Sequence, residues 1–203
     1  MAMLAEQPPV ADSGLSLRIV VPKRDYAQIQ LTLPETETRL INLRGDLLTA
    51  EMTSGRLQMD KLDLKEAEVN SQTADVAVKD CAINSFQLAS ARGDTTVARS
   101  NLRYFTYDAG SGDLLIQHKT IDGIWQLASD AGDITVRTRR TPYNLLAELS
   151  SDRGQVSITY AKYDWDELIA QRAQPRYFQG IVGEGSRMLL AKSVKGNILV
   201  EQQ

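Results

Sequence analysis

The chain has little of the chemistry that most catalytic and metal sites are made from. It has one cysteine, Cys81, so no intrachain disulfide can form, and one histidine, His118, so neither a histidine pair nor a histidine-rich metal site is available. No apolar run approaches the roughly 18 residues of a membrane span. Charge of one sign is also missing. The formal net charge is −3, which argues against a general nucleic-acid binder, since such proteins carry a basic face. The stretch from Met1 to Val10 has neither a basic n-region nor an apolar h-region, so no secretory signal is expected there.

What is present is a repeat. Its clearest copy, Phe86 to Val97 (FQLASARGDTTV), places two short alternating runs on either side of a turn at Arg92-Gly93-Asp94, and it returns at Phe105 to Ile116 and at Trp125 to Val136. With Gly93 as anchor, the equivalent positions are Thr36, Gly55, Ala74, Gly93, Gly112, Gly132, Gly154 and Gly196. The first four steps are nineteen residues each, the next two are twenty and twenty-two, and the last is longer. A period near twenty is the signature of a solenoid.

Side chains sort by column. Seven residues before the anchor the chain reads Ile29, Leu48, Ala67, Phe86, Phe105, Trp125, Ala147 and Leu189. Five before it the column is again apolar, from Leu31 to Ala191, and three before it small residues dominate, with Ser71, Ser90, Ser129, Ser151 and Ser193. Polar residues fill the positions between, the period-two pattern of a strand with one buried face. Five residues cannot bury an apolar face alone, but coils stacked about 4.8 Å apart share one core and pair their backbones. The small column suits a corner, where each serine is expected to bond its neighbour in the next coil. Gly followed by Asp suits a turn in which the Asp caps its own backbone. Ala74 and Thr36 break the pattern, so their turns should differ. Cys81 falls where Leu62 stands one coil earlier, a packing position.

Residues 1–14 read as a disordered leader and 15–203 as one β-solenoid domain. Within it, Leu17-Ile19-Val21 is expected to lid the N-terminal end. Arg137 to Asn144 lengthens one connection and contains Pro142. Residues 160–186 are expected to form an insertion or cap, with a short helix from Asp164 to Ala173 and a flexible glycine-rich return through Gly180, Gly183 and Gly185.

The repeated pieces TSGRLQM, ARGDTTV, GSGDLLI, DAGDITV and SVKGNILV, with the closing GEGSRMLLAKSVKGNILV, resemble a bacterial domain-of-unknown-function family labelled as adhesins, over about Ile29 to Val200 and apart from Ala161 to Gly180. The resemblance implies a single-stranded, right-handed β-helix, often placed behind a membrane anchor or helical segment in envelope or envelope-stress proteins.

Right-handed β-helices include polysaccharide lyases and hydrolases, which converge carboxylates or basic groups on one exposed face. The outward columns here (Glu51, Asn70, Ala89, Asp108, Ala128, Ser150, Lys192, and Thr49, Glu68, Gln87, Thr106, Gln126, Glu148, Leu190) never bring two acids together on adjacent coils. No catalytic residue is therefore expected. Asp75, Asp94, Asp113 and Asp133 stack at the turns, but each turn lacks a second acid, so turn capping is favoured over Ca²⁺ and no metal or cofactor is expected. His118 is expected on the outer surface. One basic cluster stands out: Arg99, His118, Lys119, Arg137, Arg139 and Arg140, from three successive coils. It is the candidate binding site, suited to an anionic envelope polymer or lipid headgroup. The expectation is an all-β solenoid of about eight coils, acting as a non-catalytic binding or scaffolding module of the cell envelope through its surface or through a protein partner. A carbohydrate-active enzyme on a β-helix is the alternative, and an oligomerisation domain using the solenoid ends is a third. The chain is expected in the cell envelope, extracytoplasmic or membrane-associated through an anchor missing from this sequence, with the cytoplasm as the alternative.

Overall fold

The computed structural model describes residues 21–22, 24–160 and 175–203. Among these residues the regular elements are all strands: β1 (Asp25–Ile41), β2 (Arg44–Asp60), β3 (Asp63–Lys79), β4 (Ala82–Ser90), β5 (Thr95–Ala98), β6 (Asn101–Ala109), β7 (Leu114–His118), β8 (Ile124–Ser129), β9 (Ile134–Thr138), β10 (Leu145–Ser151), β11 (Val156–Thr159), β12 (Tyr177–Val182), β13 (Arg187–Ser193) and β14 (Ile198–Gln202). The leader, Leu17, Ile19 and the expected helix from Asp164 to Ala173 lie outside the described residues.

The repeat columns are the register. Ile29, Leu48, Ala67, Phe86, Phe105 and Trp125 pair in one parallel row, and Leu31, Ala50, Val69, Leu88, Tyr107 and Leu127 in the next. All of these except the half-buried Ile29 are buried, so the β-solenoid has one continuous core. The Phe86 and Phe105 rings stack at 5.2 Å between centroids with planes 7° apart, and the Trp125 Nε1–H donates to the Leu102 carbonyl at 2.9 Å. Cys81 packs in the core as expected. Its thiol donates to the Lys79 carbonyl at 3.2 Å, and burial raises its pKa above the ordinary thiol value.

Two corners bend each coil. At the anchor corner the coils from β4 onward break between strands, whereas β1, β2 and β3 run through it without interruption. Gly55 also lies within a strand, β2, but has φ 101°, whereas Thr36 and Ala74 keep negative φ, and that is how those two turns differ. Gly112 adopts φ 118°, and a Cβ on Gly132 would fall on the carbonyl oxygen of Gly112 in the neighbouring coil. At the other corner Asn42, Lys61, Asp80 and Arg99 all have φ between 50° and 56°. Their N–H groups still reach the next coil, donating to Asp60, Lys79, Ala98 and Gln117 carbonyls. The ladder thus continues through left-handed residues that the sequence does not mark with glycine.

The serine column behaves differently from expectation. Ser71, Ser129, Ser151 and Ser193 each accept the N–H of the anchor three residues on, at 2.8 to 2.9 Å. They fold the corner of their own coil. Of these four, only Ser151 and Ser193 also reach an adjacent coil, donating to the Gly196 and Gly132 carbonyls, and among the described residues no serine bonds a serine.

The coils do not stack in chain order. Along one face the order is β1, β2, β3, β4, β6, β8, β13, β10, β12, and along the other β3, β5, β7, β9, β14, β11. The last coil, β13 with β14, is inserted between β8/β9 and β10/β11. This corrects the outward column, where Lys192 lies between Ala128 and Ser150. It also explains the long connection from Arg137 to Asn144. Arg139 and Arg140 stay in register, donating their N–H groups to His118 and Lys119 carbonyls. The chain then climbs two rows, about 10 Å, where earlier connections climb one.

The glycine-rich return is also corrected. Gly180 lies within β12, which pairs antiparallel with the outer edge of β10 from Tyr177 to Val182. β12 thus covers the outer edge of β10 with a strand that is not part of the repeat, and it is itself the terminal strand of that face.

Candidate functional site

Ionisable side chains at the turns hold coils together. The Asp75 carboxylate accepts the N–H of Asp94 at 3.0 Å, Asp94 accepts that of Asp113 at 2.9 Å, and Asp113 accepts that of Asp133 at 2.9 Å. The row continues through the inserted coil, where Asp133 accepts the Asn197 N–H and Asn197 Oδ1 accepts the Gln155 N–H at 2.9 Å. Each carboxylate thus caps the following coil and not its own turn. Arg56 closes the other end on Asp75 at 3.4 Å. No group of three or more metal-type ligands occurs among the described residues.

The basic cluster divides in the same way. Arg99 forms a two-pronged pair with Asp80, both contacts at 2.8 Å, and this partner holds the Asp80 carboxyl below its ordinary range. Arg137 pairs with Glu201 on the inserted coil at 2.7 Å. His118 is half-buried, not on the outside: its ring meets the Trp125 ring edge-on at 5.8 Å. Nδ1 lies 2.6 Å from the Thr120 carbonyl oxygen, to which the Nδ1–H tautomer donates, and 3.4 Å from the Thr120 N–H. Lys119, Arg139 and Arg140 are exposed and make no ion pair among the described residues. They come from two adjoining coils, in a ledge held by the Arg140 N–H to Lys119 carbonyl bond at 2.8 Å.

A second surface feature escaped the sequence reading. An open groove of about 580 Å³ runs across β1, β2, β3, β4 and β6, with Thr32, Glu51, Asn70, Ala89 and Asp108 in line along it. Four coil steps make it about 19 Å long. Its lining contains Glu51 and Asp108 but no lysine, arginine or aromatic ring. The column was legible in the sequence; its concavity depends on the bend at the corner. Insertion of β13 also makes an outward apolar row of Tyr104, Ile124, Met188, Leu146 and Ile181 that no run of consecutive residues signals.

Comparison with known proteins gave a match to one family model, described as Toastrack DUF4097, over residues 11–201. No curated protein and no solved structure matched.

Proposed function

The chain belongs to the Toastrack DUF4097 family, and from that premise and the surfaces above we propose a non-catalytic binding or scaffolding module of the bacterial cell envelope. It is adhesin-like in acting through surface contact. The adhesin label is no part of the family match and rests on this proposal alone. One observation carries the reading: Lys119, Arg139 and Arg140 on adjoining coils make no ion pair among the described residues, while Arg99 and Arg137 are tied to carboxylates. Free cations fixed on a rigid ladder suit a phosphate-rich partner, whether an anionic polymer or a lipid headgroup.

The enzyme alternative draws on the groove. Its two carboxylates, Glu51 and Asp108, are three coil steps apart, about 14 Å. Glycosidase pairs work at about 5 to 9.5 Å, which weighs against general acid/base hydrolysis there.

The test is binding of the chain to vesicles containing phosphatidylglycerol and, separately, to a soluble polyphosphate. Each is compared with the triple variant Lys119→Ser, Arg139→Ser, Arg140→Ser. Wild type should bind at low salt and release as salt rises, because screening acts over about 10 Å at 0.1 M. The variant should fold normally and not bind. Equal binding by both, or none by either, overturns the ledge as the site. Glycan cleavage abolished by Asp108→Asn would put the enzyme reading in its place.

A further inference from the structure

The inserted coil occupies a gap whose two walls match each other. On one wall β8 presents Trp125, Leu127 and Ser129 to Leu189, Ala191 and Ser193 of β13. On the other wall β10 presents Ala147, Leu149 and Ser151 to the same three residues. With β13 and β14 withdrawn, the columns still correspond, small Ala147 facing bulky Trp125, leucine facing leucine and serine facing serine. The hydrogen bonds have equivalents too. The Gln155 N–H donates to Asn197 Oδ1, and Asp133 Oδ1, one row below, accepts from Asn197. Ser151 Oγ donates to the Gly196 carbonyl, while Ser193 Oγ donates to that of Gly132. Each donor on the β10/β11 coil has the same kind of acceptor waiting on β8/β9.

Chain order favours that second pairing during folding. β10 follows β9 after residues 139–144, whereas β13 arrives only after β10, β11, the intervening segment and β12. Shorter loops close at lower entropic cost, so the nearer coil docks first. The link from β12 to β13 is Gly183 to Ser186, with Gly183 at φ 62° and Gly185 at φ 64°, a short hinge on which the C-terminal coil enters.

We propose that the β10/β11 coil has a second seat directly on β8/β9, taken before the C-terminal coil arrives, and that β13/β14 is a displaceable wedge which opens this seat. Alternative pairing of this kind is the hazard of strands whose columns repeat. The wedge makes the native order a consequence of its own insertion.

Three cysteine pairs in the outward column of the full chain test the proposal. In the native order Ala128 pairs with Lys192 and Lys192 with Ser150, so Ala128 and Ser150 are two rows apart. Two rows are about 10 Å, beyond the roughly 7 Å a disulfide spans. Asn70 and Asp108 are likewise two rows apart, with Ala89 between them, and serve as control. Each variant is refolded from denaturant and given an oxidising pulse at increasing delays. Ala128→Cys with Ser150→Cys should cross-link early, several-fold above the Asn70→Cys with Asp108→Cys control, and decline at later pulses. Ala128→Cys with Lys192→Cys should cross-link late. An Ala128/Ser150 yield equal to the control, or early Ala128/Lys192 cross-linking, overturns the second seat. In the unmodified chain, pulsed hydrogen exchange should protect β10 and β11 before β13 and β14. Simultaneous protection, or the reverse order, overturns it without any variant.

Discussion

Tyr107 shows how a single residue reports on the solenoid interior. Its side chain lies in the apolar row between Leu88 and Leu127 and is 1% exposed. The hydroxyl faces Thr95 short of a well-formed hydrogen bond, and burial pushes its pKa up to about 12, outweighing the opposing effect of Thr95. Tyr160 is pushed to about 12 by the same cause, opposed by Thr138. For both groups the native state holds its proton more tightly than the unfolded chain, where tyrosine titrates near 10. Their contribution is complete below pH 10 and is lost as pH rises through about 12. Each tyrosine is worth on the order of 2 kcal/mol over that window. Tyr107→Phe should therefore change stability at pH 7 by no more than about 1 kcal/mol and reduce the alkaline loss by about half. Denaturant titrations of both proteins at pH 8 and pH 11.5 check this, and an unchanged alkaline loss in the variant contradicts the buried-phenol account.

At the scale of the element, the anchor turn depends on how closely neighbouring coils approach. Gly132 accepts no Cβ because the Gly112 carbonyl already fills that space, and backbone atoms held by a ladder cannot move aside as a flexible side chain would. Ala74 occupies the equivalent place in β3 with a negative φ, and there a Cβ fits, whereas one on Gly55 at φ 101° would meet the Thr36 carbonyl although β2 also runs through the corner. Gly132→Ala is expected to cost about 2 to 3 kcal/mol or more, as overpacking does. Ala74→Gly should cost only about 0.5 to 1 kcal/mol, the conformational penalty of glycine in a strand. Thermal melts of the two variants separate the cases, and equal effects would show that anchor glycines serve flexibility and not close approach.

Across the whole molecule the core is one column-wise stack, so a fault in the middle cannot be isolated. Leu88 pairs with Val69 on one side and Tyr107 on the other, and it is 2% exposed. Leu88→Asp puts a carboxylate between two apolar rows with no partner. The cost of several kcal/mol is comparable with the 5 to 15 kcal/mol stability of a typical domain. Circular dichroism should show an unfolded chain or one melting far below wild type. A cooperative melt near the wild-type temperature would mean that Leu88 is not inside. Surface ion pairs such as Arg44–Asp63 at 2.9 Å and Lys65–Asp46 at 2.7 Å link adjacent coils but cannot offset such a loss, since exposed pairs contribute about 0 to 1 kcal/mol each.

The period near nineteen determined the rows, because a parallel ladder of equal coils places residue i directly over its repeat. From that period alone Phe86 lies over Ala67 and Phe105, Gly93 lies at a corner, and Cys81 lies inside. The left-handed corner carries no such mark, since Asn42, Lys61, Asp80 and Arg99 share a φ near 50° but no residue type. Which of the six candidate residues remained free was likewise decided by partners distant in the chain: Glu201 reaches Arg137 only because β14 lies beside β9. The sequence could not order the last coils either. Ser129, Ser151 and Ser193 present the same column to any neighbour, so local pattern accepts both stackings equally. The tertiary structure decided between them, through a connection long enough to climb two rows and a C-terminal coil that fills the space between.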